Sequence, residues 1–122
     1  MHCYSTMTNT ELLKGTLSTI ILRLLSEHKR LYGYEIAQLV KERSHDVIQL
    51  KEGSLYPALH RLEADGLVIS EEVYIGKRVR RYYKLTEPGK KVTKIYIQEL
   101  QGFLKTIEEL ILPFPGNYVP AK

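Results

Sequence analysis

A mainly α domain with a small β-hairpin (α+β), built from three short helices and finished by one long C-terminal helix, is the fold class the sequence predicts. Three observations predict it. Apolar residues recur at helical spacing in three segments before Gly66. The period then changes to the twofold alternation of strands between Leu67 and Leu85, and one helical pattern runs on from Glu87 to Leu112. At 122 residues the chain has room for one domain with a single modest core, and 43% hydrophobic and 26% charged residues suit a folded globular chain.

The first helix is expected from Thr8 to about Glu27. Its apolar residues fall at Leu12/Leu13, Thr16/Leu17, Ile20/Ile21 and Leu24/Leu25, a wide buried face; Thr8 or Asn9 can cap it, and Glu11 lies in its first turn. The segment "KRLYGYE" reads as a short link in which Gly33 permits a turn. A second helix from about Tyr34 to Ser44 turns Ile36, Ala37, Leu39 and Val40 inward. After the loop "SHDVIQLKEG", a third helix covers about Glu52 to Asp65, with Leu55, Ala58, Leu59 and Leu62 as its apolar stripe and Gly66 as the residue past its end.

"LVISEEVYI" and "VRRYYKL" are rich in β-branched and aromatic residues and are separated by "GKR", so they form a hairpin with Gly76 at its turn. Thr86 can cap the last helix, Pro88 is tolerated in its first turn, and Pro113 and Pro115 end it. Helix, helix, helix, hairpin is the order of a winged helix-turn-helix, in which the third helix enters the DNA major groove and the hairpin tip reaches the backbone beside it. The expected organisation is a winged-helix DNA-binding domain over 8–86 and a dimerisation helix over 87–112, with flexible tails at 1–7 and 113–122.

Charge points the same way. The net charge is +4, yet residues 77–94 carry eight Lys/Arg against Glu87 alone, which leaves the rest of the chain net acidic. A concentrated positive patch beginning at the hairpin tip suits a polyanion, with nucleic acid foremost. The lone Cys3 forms no intramolecular disulfide, which suits a reducing compartment. No segment reads as a signal peptide or a membrane span, so a cytoplasmic location is expected. Met7 as well as Met1 can serve as a start.

At 100° per residue, the third helix turns Gly53, Pro57, His60, Arg61 and Ala64 outward, flanked by Ser54 and Tyr56. Small residues let the backbone approach a groove floor. Ser54 and Tyr56 can bond phosphates, His60 and Arg61 can reach phosphates or guanine edges, and Pro57 offers an apolar contact to a thymine methyl. Pro57 is expected in the first turn, where it costs little because a first-turn residue has no intrahelical donor to lose. Each residue also has an ordinary structural role open to it: Ser54 as a cap, Tyr56 packed on the hairpin, His60 as a surface histidine, Arg61 paired with Asp65. The expected DNA contacts are Tyr34, Lys51, Gly53, Ser54, Tyr56, Pro57, His60, Arg61, Lys77, Arg78 and Arg80.

In the last helix, Ile97, Leu100, Leu104, Ile107 and Ile111 form a heptad-like seam, while Val92, Tyr96, Phe103 and Leu110 form a second stripe. One stripe suffices for the chain's own core, so the second suits a partner chain. With Leu13 and Leu17 of the first helix, the seam is the expected dimer interface.

An enzyme and a winged-helix module for protein or RNA are the two alternative classes. For an enzyme, the reactive residues are Cys3, Ser54, His60 and Glu63, but no Gly-rich phosphate loop or nucleophile elbow accompanies them. His60 and Glu63 at i, i+3 lack a third metal ligand, so neither metal nor cofactor is expected. A winged-helix module for protein or RNA is the stronger rival. It would not need Lys77, Arg78, Arg80 and Arg81 together.

"YGYEI" at 32–36, "GSLYPALHRLEADGLV" at 53–68 and "GKRVRRYYKLTEPGK" at 76–90 resemble the signature segments of the PadR family of bacterial transcriptional regulators. The resemblance implies a winged-helix repressor that binds a pseudo-palindromic operator as a homodimer. The helix after "LTEPG" resembles the short-C-terminus members. In the family, effectors are sensed at the dimer interface between the last and first helices, some by stacking on aromatic rings. With no tryptophan in the chain, the candidates for contacting a small aromatic effector are Tyr96 and Phe103.

Overall fold

The structure, a computed structural model, describes residues 11–113. The expected caps Thr8 and Asn9, as well as Cys3, Met7 and Pro115, lie outside these residues, as do the expected tails apart from Pro113. Helix α1 (Glu11–Ser26) buries Leu17, Ile21, Leu22, Leu24 and Leu25. The link that follows contains a strand the sequence reading missed, β1 (Leu31–Tyr32), and Gly33 opens helix α2 (Gly33–Arg43) instead of making a turn. Gly33 is needed for space: a Cβ there would run into the ring and hydroxyl of Tyr56. The Tyr32 amide donates to Glu35 Oε1 at 3.1 Å, which closes the first turn of α2.

Helix α2 ends without a glycine. His45 and Asp46 take left-handed backbone conformations (φ 53° and 67°), and their amides donate to Glu42 O and Lys41 O at 3.2 and 2.9 Å. Helix α3 (Glu52–Ala64) buries the expected stripe of Leu55, Ala58, Leu59 and Leu62. Its end is a Schellman closure: Gly66, at φ 76°, donates to Glu63 O at 3.0 Å and Leu67 donates to Leu62 O at 3.0 Å.

Strands β2 (Val68–Ile75) and β3 (Arg78–Leu85) pair antiparallel from Val68↔Leu85 to Ile75↔Arg78, leaving Gly76-Lys77 as a two-residue turn with Gly76 at φ 63°. Glycine at the first turn position with positive φ matches the twist of a hairpin. Strand β1 adds to the free side of β3 through Leu31↔Tyr83 and Tyr32↔Tyr82, so the hairpin is part of a three-stranded sheet in the order β1-β3-β2. Tyr83 is buried in the core with Leu67 and Val68. Its hydroxyl has no hydrogen-bond partner among the described residues, and burial pushes its pKa up.

Helix α4 (Glu87–Ile111) starts on the end of α3. Thr86 Oγ1 accepts from the Gly89 amide at 3.0 Å and donates to Gly66 O at 2.7 Å, while the Thr86 amide donates to Leu67 O at 3.1 Å. Gly89 is buried against the Leu67 carbonyl, where no Cβ fits. From there α4 packs along α1. Among the described residues no helix is long and apolar enough to cross a membrane.

Two measurements check this packing. Gly89→Ala should lower stability by about 2 kcal/mol, the cost of overpacking a tight contact, seen as a lower urea midpoint; an unchanged midpoint would mean α4 is not seated on Leu67. Glu27 joins the ends of α1 and α2, pairing with Arg43 at 2.6 Å and Arg23 at 3.1 Å. Its hydrogen bond with Arg43, more than any other influence, lowers its pKa below the ordinary 4.5. A lowered folded pKa adds stability that is present above pH 4.5 and is lost as acid protonates the group. Glu27→Gln should therefore be less stable than wild type near neutrality, with the gap closing in acid. A gap independent of pH would exclude the ion pair as its cause.

Candidate nucleic-acid interface

Helix α3 presents Gly53, Pro57, His60, Arg61 and Ala64 to solvent, the arc its periodicity predicts. Three details differ from the sequence reading. The N-cap is Lys51, so Ser54 is the third helical residue and not the cap. Pro57 is the sixth residue, beyond the first turn; it removes the donor that would have bonded the Gly53 carbonyl. Tyr56 is half-buried, packed on the core with its hydroxyl end against Gly33 and not on the hairpin surface. Arg61 forms no ion pair with Asp65 among the described residues.

Lys51, Gly53, Pro57 and Arg61 border an open depression of about 770 Å³, whose opposite wall is Lys14 and Ser18 of α1. Lys14 was not singled out from sequence. It lies on the polar side of a helix whose apolar face carried the signal, and only the packing of α1 on α3 brings it near Lys51 and Arg61. Tyr34, at the start of α2, is 66% exposed.

The basic window divides. Lys77 and Arg78 are exposed at the hairpin tip, whereas Lys84, Lys90, Lys91 and Lys94 lie at the hairpin base and the start of α4. Lys84 lies six residue steps along the strand from Arg78, about 20 Å at roughly 3.3 Å per residue. The +7 window is therefore two patches and not one surface at the tip. Arg81 is tied up: it donates to Glu72 Oε2 at 2.7 Å and to Ser70 Oγ at 3.0 Å, and Ser70 donates to Glu63 Oε2 at 2.7 Å. Lys90 pairs with Glu87 at 3.0 Å. Arg80 lies over the ring of Tyr32, 4.5 Å from its centroid, and its pKa is raised, chiefly by a hydrogen bond with the Tyr82 side chain.

Of the residues expected at a dimer interface, Leu13 and Leu17 are already buried within the chain. Ile97, Leu100 and Ile107 are half-buried and Leu104 and Ile111 exposed. Of the effector candidates, Tyr96 packs against the core and Phe103 is 60% exposed. Neither lines the apolar groove of about 380 Å³ between α1, the end of α2 and α4, whose walls include Ile20, Leu24, Ile48, Ile97 and Leu104. Among the described residues no cluster of three or more His, Cys, Asp or Glu side chains is placed to hold a metal ion.

The model of the Transcriptional regulator PadR-like family matches residues 21–95. An uncharacterised protein of Lysinibacillus sphaericus is 36% identical over 109 residues, 86% of this chain and 93% of its own length. Among solved structures, a transcriptional regulator from Clostridium thermocellum superposes with a TM-score of 0.72 at 31% identity, covering 88% of this chain and all of that one. A PadR family transcriptional regulator from Eggerthella lenta superposes with a TM-score of 0.74 at 28% identity, covering 84% and 88% of the two chains.

Proposed function

Because this chain belongs to the PadR-like family of transcriptional regulators, we propose that it regulates transcription by binding a pseudo-palindromic operator as a homodimer. The observation that carries this reading is the exposed arc of α3, Gly53, Pro57, His60 and Arg61, free of ion pairs among the described residues and flanked by the cationic hairpin tip at Lys77 and Arg78. The arc suits the major groove and the tip suits the flanking backbone. Repression as the sign of regulation and a small aromatic effector are carried over from the family resemblance, and a cytoplasmic location from the lone cysteine and the lack of a signal peptide or membrane span in the sequence. The groove between α1 and α4, walled by Ile20, Leu24, Ile48, Ile97 and Leu104, is an apolar space that suits such an effector.

The dimer reading rests on the outer half of α4. Beyond Gln101 both apolar stripes are largely exposed: Phe103, Leu104, Leu110, Ile111 and the following Leu112 are each at least half accessible, with Leu110 at 75%, and Ile107 is half-buried. So large an apolar helix end suits a partner chain more than water. In a symmetric dimer the two α3 helices should stand about 34–36 Å apart, matching successive major grooves.

Binding to the duplex upstream of the chain's own gene should exceed binding to random duplex of equal length across a salt series. Arg78→Glu should weaken both and flatten the salt dependence, while His60→Ala and Arg61→Ala should change sequence preference. Equal affinity for both duplexes would sink operator recognition. Separately, Leu104→Glu with Ile111→Glu should convert a dimer into a folded monomer, read by sedimentation and circular dichroism. A wild-type chain that sediments as a monomer at micromolar concentration would exclude the dimer.

A further inference from the structure

Two neighbouring arginines of β3 are treated in opposite ways. Arg81 is given a carboxylate, Glu72 at 2.7 Å, which orients the guanidinium and also cancels its charge. Arg80 is given aromatic rings and no carboxylate partner among the described residues. A ring face orients a guanidinium by stacking and leaves the charge in place.

The ring under Arg80 is itself braced. Tyr32 meets Tyr82 edge-on, with centroids 5.3 Å apart and planes at 71°, and lies nearly parallel to Tyr34 at 6.4 Å. Arg30 covers Tyr82 at 4.3 Å and is anchored by Glu71 at 3.0 Å. The result is a ladder on one face of the sheet, running from the start of α2 to the hairpin. Twofold alternation along β3 puts Arg78 on the same face as Arg80, so Arg80 stands about 7 Å behind the tip residue.

We propose that Tyr32 is a positioning residue that holds Arg80 charged and extended for a phosphate contact behind the hairpin tip. This rests on the operator-binding reading above. A free arginine loses rotamer freedom when it meets a phosphate, and a stacked one has lost most of it beforehand.

The test is operator affinity across a salt series. Arg80→Gln should weaken binding and reduce the slope of log affinity against log salt by about 0.9 per protomer, the signature of one lost phosphate contact. Tyr32→Leu should weaken binding about fivefold, the cost of restoring one side chain's freedom, while Tyr32→Phe, which keeps the ring, binds as wild type. In the Arg80→Gln background, Tyr32→Leu should have no further effect. Arg80→Lys keeps the charge but cannot stack flat, so it should bind more weakly than wild type at an unchanged slope; this variant serves if Tyr32→Leu does not fold.

An unchanged slope for Arg80→Gln, wild-type binding by Arg80→Lys, or a Tyr32→Leu defect that persists without Arg80 would each overturn the proposal. If Arg78→Gln lowers the slope while Arg80→Gln does not, operator binding stands and this inference fails. If neither changes it and random duplex binds equally well, the operator reading itself has failed.

Discussion

Two adjacent carbonyls, those of Gly66 and Leu67, are the point on which the molecule turns. The end of α3, the first strand of the hairpin and the start of α4 all meet there. The Schellman closure of α3 uses the amides of Gly66 and Leu67, and their carbonyls then accept from Thr86 Oγ1 and the Thr86 amide. Thr86 in turn caps α4 through the Gly89 amide, a bond of the kind that stabilises by about 1 kcal/mol. Gly89 lets the helix sit directly on the Leu67 carbonyl. Four residues therefore set the angles among the helix expected in the groove, the hairpin expected beside it and the helix expected to meet a second chain. A shift of α4 has no slack to absorb it before it reaches α3.

The cations are sorted by what surrounds them, not by where they stand in the sequence. Arg23, Arg30, Arg43, Arg81 and Lys90 are committed to carboxylates. These pairs are largely exposed and add little stability each, but they neutralise their own charge. Among the described residues, the hairpin cations without a carboxylate partner are Lys77 and Arg78 at the tip, Arg80 on its aromatic support and Lys84 at the base. A count of basic residues over 77–94 overstates the charge that one surface can show a polyanion, because a long hairpin carries its two ends into different neighbourhoods.

Legibility followed the strength of the local signal. The three short helices, the hairpin and the long helix were readable because each repeats its period several times, and Gly66, Gly76 and Thr86 mark boundaries by their chemistry. Strand β1 was not readable: two residues give no period, and Leu31 and Tyr32 become a strand only because β3 offers them its free edge. The end of α2 was read to within one residue from the apolar pattern alone, although His45 occupies the position where glycine is the usual signal. Pro57 was expected in the first turn, yet counted from Glu52, where both the expected and the observed helix start, it is the sixth residue and lies in the second turn. In the candidate interface, the exposed arc of α3 came straight from periodicity. Lys14, the Tyr32 support of Arg80 and the burial of Tyr56 depend on which elements pack together, and a single sequence does not encode that locally.

Helix α4 explains why the two stripes seen in its sequence do not behave as two continuous faces. Near its start, Val92 and Tyr96 pack against the core, and Thr93 is buried with its hydroxyl donating to Gly89 O at 2.7 Å. Among the described residues α1 spans 16 residues against 25 for α4, and they leave most of the outer turns of α4 uncovered. Both stripes then emerge, at Phe103 and Leu104 and again at Leu110 and Ile111, with Ile107 half-buried between them. Burying such side chains contributes about 25 cal/mol per Å², a gain the isolated chain forgoes along the outer turns of α4. Whatever covers that end therefore adds to the stability of the fold itself, through the same helix whose first turn is locked to α3 at Leu67.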